Sequence, residues 1–147
     1  MRRVLVVGYG NPLRGDDGLG WHAAEALRPV LPEAEILTVH QLTPELAEPA
    51  SRADLVIFLD AAEGGAPGEW REEPAGGPPD ASRAFTHHIT PPTLIAAAGT
   101  LYGHAPEAVL FSMTGESFDF REGLSATVAR ALPAMVEAAA ARAGNCL

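Results

Sequence analysis

The sequence contains no lysine. All 10 of its basic residues are arginines, and they face 19 acidic residues, which gives a formal net charge of −9. Nucleic-acid binding needs a basic surface that neutralises phosphates, and the arginines do not cluster beyond Arg2 and Arg3. The charge balance therefore argues against a nucleic-acid partner.

Paired cysteines and long apolar runs are also missing. The single cysteine, Cys146, cannot form an internal disulfide, and we expect it to lie in a frayed terminus of a protein from a reducing compartment. The first apolar run is too short for a secretory signal, and no segment reaches the roughly 20 apolar residues of a membrane-spanning helix. We expect a cytoplasmic protein without membrane insertion, and a single domain over residues 1–147.

Strands and helices alternate along the chain. Apolar runs predict strands at 4–7, 34–39, 55–59 and 109–113, GEWREEP predicts an edge strand, and helical spacing predicts helices at 19–29, 44–49, 90–101 and 125–143. We expect Pro49 to end the second helix and Pro133 to kink or divide the last one. This order predicts an α/β/α fold with three layers and a mostly parallel, twisted sheet of about five strands and an edge strand.

In such sheets, ligands bind beyond the carboxyl ends of the strands. Three places meet this condition: the glycine-rich loop 8–20, the loop that contains His40, and Asp60, which ends the most hydrophobic run. We expect these three places to share one edge of the sheet.

The loop GYGNPLRGDDGLG resembles half of a dinucleotide-binding fingerprint, but it places Asp16 and Asp17 where a helix should begin. Two carboxylates there would repel a phosphate, so nucleotide binding is a weak interpretation. One aspartate, Asp16, can cap the helix. The second carboxylate, Asp17, exceeds what a cap needs and indicates a cation.

Histidines supply the nitrogen ligands that a mixed metal site would need. His87 and His88 precede a predicted helix, and an imidazole with two carboxylates suits a divalent first-row metal. His22 and His104 are interpreted as ordinary helix and turn residues, and His40 as a residue that supports the site or contacts substrate. The sequence lacks the Gly-x-Ser-x-Gly, HExxH and CxxC signatures of common hydrolases and zinc sites.

The chain resembles the hydrogenase maturation endopeptidases, which process the large subunit of nickel-iron hydrogenases. The matching segments are VLVVGYGNPLRGDDGLG, HQLTPELAEPASRADLVIFLDAA and HHITPPTLIAAAGTLYGHAPEAVLFSMTGESFDFREGLS, so the match runs nearly end to end. The resemblance implies a phosphorylase/hydrolase-like fold and an aspartic-type or metal-dependent endopeptidase. Its implied partner is the precursor large subunit, its nickel is supplied by that substrate, and no organic cofactor is implied.

The resemblance also implies the site residues: Asp17, Asp60 and one of His87 or His88 as catalytic nickel ligands. Counting back from the following helix favours His87. We expect Asp16, Asn11 and His40 to support this site.

Two features depart from the family pattern. Some members carry Glu in place of Asp17, and some carry Asp-Gly-Gly after the second strand, where this chain has TVHQ. His40 or Gln41 is the expected substitute there. A rival function keeps the same partner without proteolysis: a nickel-dependent module that checks the large subunit.

Overall fold

The computed structural model describes residues 2–76 and 89–147. Its centre is one sheet of five strands in the order β2-β1-β3-β5-β4. The strands are β1 (Val4–Tyr9), β2 (Glu35–Val39), β3 (Leu55–Ala62), β4 (Trp70–Pro74) and β5 (Glu107–Thr114). Four of them run parallel, and β4 pairs antiparallel with β5 at the edge. The predicted α/β fold and the predicted edge strand are confirmed, with five strands in total.

Helices cover both faces of the sheet. They are α1 (Leu19–Leu27), α2 (Ala47–Ser51), α3 (Pro91–Tyr102) and α4 (Ala126–Cys146), with 3-10 turns at Gly15–Gly18 and Pro44–Leu46. Alternate residues of the central strands point to opposite faces: Ile57 packs with α1 and α4, and Phe58 packs with α2 and α3. Both faces of β1 and β3 are therefore buried, which explains their continuous apolar runs.

The prediction that Pro49 ends the second helix is wrong, and so is the predicted division of the last helix at Pro133. Pro49 lies inside α2 and does not end it, because it occupies the third helical position, where a backbone N–H has no acceptor within the helix. Pro133 leaves α4 undivided. Buried residues on both sides of it, among them Leu132 and Met135, hold the helix against the sheet.

The chain end also differs from expectation. Cys146 is buried and belongs to the core cluster between α4 and the sheet, so it is not frayed. In the part of the chain that the structure describes, no helix combines the length and the hydropathy needed to cross a membrane.

Candidate active site

A cavity of about 670 Å³ opens at the carboxyl edge of the sheet. Its walls come from the ends of β1, β2 and β3, from the edge strand β4, and from the start of α3. The polar residues that line it are Tyr9, Asp17, His40, Gln41, Asp60, Glu73 and Thr90. The three places that the sequence predicted to meet at one edge therefore contribute to a single cavity.

The glycines of the opening loop allow the backbone to pack closely. A side chain at Gly8 would collide with the backbone of Gly20, and one at Gly20 would collide with the backbone of β3. Gly10 has a φ of 135°, and its α-carbon lies against the backbone of Asp17. This packing accounts for the glycine spacing without a bound phosphate, and it fixes Asp17 beside the end of β1.

Asp17 is partly exposed and points toward the cavity. Its Oδ2 accepts a hydrogen bond from the backbone N–H of Asn11 at 2.8 Å. The side chain of Asn11 in turn accepts the backbone N–H of Leu13 at 2.9 Å. Asn11 therefore supports the loop that orients Asp17, whose Oδ1 accepts no hydrogen bond from residues 2–76 and 89–147.

Asp60 lies within β3, which continues for two residues beyond it to Ala62. Burial raises its pKa to about 7, although hydrogen bonds from the Ala61 N–H and the Tyr9 hydroxyl oppose the rise, and the charge of Asp17 adds to it. The Ala61 bond measures 2.8 Å. Asp60 and Asp17 are thus close enough to interact electrostatically, in a site where a cation would relieve the repulsion.

Tyr9 lies beside Asp60 at the end of β1. Burial, together with the negative charge of Asp60, raises the pKa of the Tyr9 hydroxyl far above its usual range, so this group stays protonated next to the carboxylate. Its ring packs edge-on against Phe58, with 6.5 Å between the ring centroids. Tyr9 is a site residue that the sequence interpretation missed. Its position at the carboxyl end of a buried strand was the available signal.

The predicted cap formed by Asp16 is wrong. No side chain caps the 3-10 turn or α1. The fully buried Asp16 carboxylate instead accepts hydrogen bonds from the backbone N–H groups of Glu116 at 2.8 Å, Ser117 at 3.1 Å and Ser125 at 2.8 Å, and from the Ser125 hydroxyl at 2.8 Å. Asp16 therefore joins the opening loop to the segment before α4, whose N-cap is Ser125.

These contacts determine the protonation of Asp16. Burial alone would raise its pKa, but the four hydrogen bonds from Ser125, Glu116 and Ser117 outweigh burial and hold the pKa below its ordinary value. Asp16 is thus a structural carboxylate that stays charged, whereas Asp17 next to it faces the cavity.

The predicted histidine ligands, His87 and His88, lie outside the described residues. Among residues 2–76 and 89–147, no three His, Cys, Asp or Glu side chains are grouped closely enough to hold a metal ion. Ile89 and Thr90, which follow the two histidines in the chain, line the cavity. The proposed third ligand therefore stays a prediction.

His40 lies at the rim of the cavity and is exposed. Its ring packs edge-on against Trp21, with 5.5 Å between the centroids. The Trp21 indole N–H donates to the carbonyl of Val39 at 2.8 Å, and the N–H of Gly10 donates to the same oxygen at 3.1 Å. Trp21, which the sequence interpretation did not single out, thereby anchors the end of β2 to the opening loop.

The remaining histidines have the ordinary roles that were predicted. His104 approaches the carbonyl of Ala53, with 3.0 Å between its Nε2 and that oxygen, and so ties the turn after α3 to the chain before β3. His22 is exposed on α1 and does not line the cavity.

The fold and this cavity define an α/β protein with a pair of carboxylates at the carboxyl edge of a mostly parallel sheet. A comparison with protein-family models gives no match, and a comparison with curated proteins gives none either. Solved structures do match, over nearly the whole chain.

Three of these structures illustrate the likeness. The nickel-iron hydrogenase maturation protease HycI from Thermococcus kodakarensis KOD1 is 25% identical with a TM-score of 0.76, covering 95% of this chain and 90% of its own. The hydrogenase maturating endopeptidase HybD from E. coli is 28% identical with a TM-score of 0.71, covering 93% and 89%. A hydrogenase 2 maturation peptidase from a Thaumarchaeota archaeon is 25% identical with a TM-score of 0.72, covering 97% and 99%. The resemblance to the hydrogenase maturation protease family that the sequence predicted is confirmed.

Proposed function

We propose that this protein is an endopeptidase that removes a C-terminal extension from the nickel-loaded large subunit of a nickel-iron hydrogenase. The observation that carries the proposal is the meeting of Asp17 and Asp60 in one cavity, within a fold shared with structures named as hydrogenase maturation proteases. Those names support peptidase activity and a role in hydrogenase maturation.

Nickel enters this proposal as part of the substrate. Carboxylate oxygens from Asp17 and Asp60, with an imidazole from His87 or His88, form a mixed ligand set that suits a divalent first-row metal and leaves coordination positions to the large subunit. The histidine of this set is what the family resemblance implies, since His87 and His88 lie outside the described residues. Binding the metal would place the scissile peptide beside the two carboxylates.

Hydrolysis then requires an activated water and a polarised carbonyl. The nickel polarises the carbonyl as a Lewis acid, and either a carboxylate or the metal takes part in deprotonating the water. Asp60 would act here as a nickel ligand, and the pKa of about 7 that burial gives it belongs to the protein without nickel.

The proposal is tested by incubating the purified protein with nickel-loaded and nickel-free large-subunit precursors and following the precursor mass by intact-protein mass spectrometry. We expect a C-terminal peptide to be lost from the nickel-loaded sample alone. Loss from both samples would contradict the role of nickel. Nickel-dependent binding with no change of mass would instead favour the module that checks the large subunit without proteolysis.

A further inference from the structure

Two large apolar side chains lie exposed next to one another beside the proposed active site. Leu13 is 52% exposed and Phe120 is 85% exposed. The guanidinium carbon of Arg14 lies 5.6 Å from the centroid of the Phe120 ring. Leu13, Arg14 and Phe120 are here called the docking patch. Aromatic residues, phenylalanine among them, and arginine are enriched in the cores of protein interfaces relative to the rest of the surface.

The docking patch is held by backbone pairing. Arg14 and Arg121 form a parallel bridge, so the preceding residues, Leu13 and Phe120, are neighbours. The N–H of Gly15 donates to the carbonyl of Arg121 at 2.9 Å, and the N–H of Arg121 donates to the carbonyl of Leu13 at 3.0 Å. The exposure of both side chains therefore results from an ordered arrangement of two loops.

The buried carboxylate of Asp16 strengthens the same junction. Its hydrogen bonds to Glu116, Ser117 and Ser125 attach the segment that carries Phe120 to the opening loop. No ligand or catalytic step has been assigned to this segment. Its rigid attachment, combined with an exposed apolar tip, is the pattern of a recognition surface.

The docking patch shares the opening loop with the proposed active site. Asn11 donates to the carboxylate of Asp17 and accepts from the N–H of Leu13, so one short loop carries both the proposed nickel ligand and the apolar surface. A protein whose metal reaches Asp17 must also come close to this loop. The chain carries a net charge of −9, so the exposed apolar side chains and Arg14 of the patch differ in character from its mostly acidic surface.

We infer that the docking patch binds the folded body of the large-subunit precursor, at an apolar surface next to its nickel that offers an acceptor to the Arg14 guanidinium. The inference rests on the proposed function for the identity of the partner. The cavity would then recognise the metal and the extension, and the patch would recognise the protein that carries them.

The test compares two matched double variants. Leu13→Ser/Phe120→Ser removes the patch. Leu101→Ser/Tyr102→Ser removes another exposed leucine and aromatic residue, 65% and 53% exposed, at the opposite end of α3 from the cavity. All four side chains are exposed, so we expect both variants to fold, which thermal unfolding verifies.

Binding of the nickel-loaded precursor is measured for the wild type and both variants, together with kcat and KM for cleavage. We expect the patch variant to weaken binding and raise KM by at least about tenfold with kcat nearly unchanged, and the control variant to match the wild type. Equal binding by all three proteins would overturn the inference and leave the proposed function intact. A loss of equal size in both variants would also overturn it.

Two further outcomes separate this inference from the proposed function. If the wild type binds the precursor but does not cleave it, endopeptidase activity fails, and weaker binding by the patch variant still supports the docking patch. If the wild type neither binds nor cleaves, both fail. Sedimentation of the free proteins tests whether a second copy of the chain covers the patch instead. A dimeric wild type and a monomeric patch variant, with equal affinity for the precursor, would assign the patch to a second copy of the chain and overturn the inference.

Discussion

The buried junction around Asp16 and the cavity around Asp17 and Asp60 use the same functional group in opposite ways. Asp16 is fully buried and accepts four hydrogen bonds, so its charge is satisfied by the protein. Asp17 and Asp60 line the same cavity. Burial raises the pKa of Asp60 to about 7, and the negative charge of Asp17 adds to this rise. A carboxylate whose charge is satisfied by four donors stabilises the fold, while two neighbouring carboxylates that each accept one backbone N–H from the described residues favour a cation between them.

The largest expected effect is the loss of activity in Asp17→Asn. The amide oxygen can still accept the N–H of Asn11, so the loop should keep its shape, but the negative charge is lost. We expect cleavage of the nickel-loaded precursor to fall by at least about a thousandfold and the unfolding temperature to stay within about 2 °C of the wild type. Full activity in this variant would remove Asp17 from the proposed site.

Asp16→Asn is the matched change at the neighbouring residue, and we expect the opposite result. Its amide group would place an N–H₂ against donors that now point at a carboxylate oxygen. We expect the free energy of unfolding to drop by about 3 to 5 kcal/mol, measured by chemical denaturation. The fraction that remains folded should still cleave the precursor. Unchanged stability together with lost cleavage would mean that the roles of Asp16 and Asp17 are reversed.

The different roles of the two aspartates show what a sequence can predict here. The strands, the edge strand and the meeting of Asp17 with Asp60 follow from local periodicity and from the rule that parallel strands present their carboxyl ends at one edge. The role of Asp16 depends on Glu116 and Ser125, which lie about a hundred positions away in the chain. No local sequence pattern predicts such distant hydrogen-bond partners. The sequence therefore indicates where the site lies better than it indicates which carboxylate serves the fold.

The proline predictions failed for a related reason. A proline is unfavourable in a helix in general, but the outcome depends on its helical position, as for Pro49, or on tertiary packing around it, as for Pro133. Tyr9 was missed because its contact with Asp60 joins two strands and involves a residue type that is common at strand ends. In each case the deciding information lies in contacts between elements that are far apart in the sequence.

The pH dependence of stability should separate Asp16 from Asp60. The lowered pKa of Asp16 means that its contribution is present above its ordinary value of 3.8 and is lost as the pH falls further. The raised pKa of Asp60 works in the other direction, because the folded state holds a proton that the unfolded state releases between pH 3.8 and about 7. Stability linked to Asp60 is therefore greatest below pH 3.8 and declines as the pH rises to about 7.

Asp60→Asn tests this sign. The amide oxygen can accept the N–H of Ala61, and the Tyr9 hydroxyl can accept as well as donate, so the contacts are retained. We expect the variant to match the wild type near pH 4 and to be up to about 4 kcal/mol more stable at pH 8, measured by denaturation in the presence of a chelator. A variant that is less stable at pH 8 would show that charged Asp60 is stabilised by the site without a metal.

The smallest expected effect belongs to Tyr9→Phe, which removes one hydroxyl from the cavity and leaves the ring packed on Phe58. The Tyr9 hydroxyl now lowers the pKa of Asp60 by donating to its charged form, so its removal should raise that pKa further. Titration of the Asp60 carboxyl carbon by NMR measures the change. We also expect the rising limb of the pH–rate profile to move to higher pH, with little loss of stability. An unchanged titration would mean that Asp60 is held by Ala61 and the fold alone, and that Tyr9 serves only as part of the cavity wall.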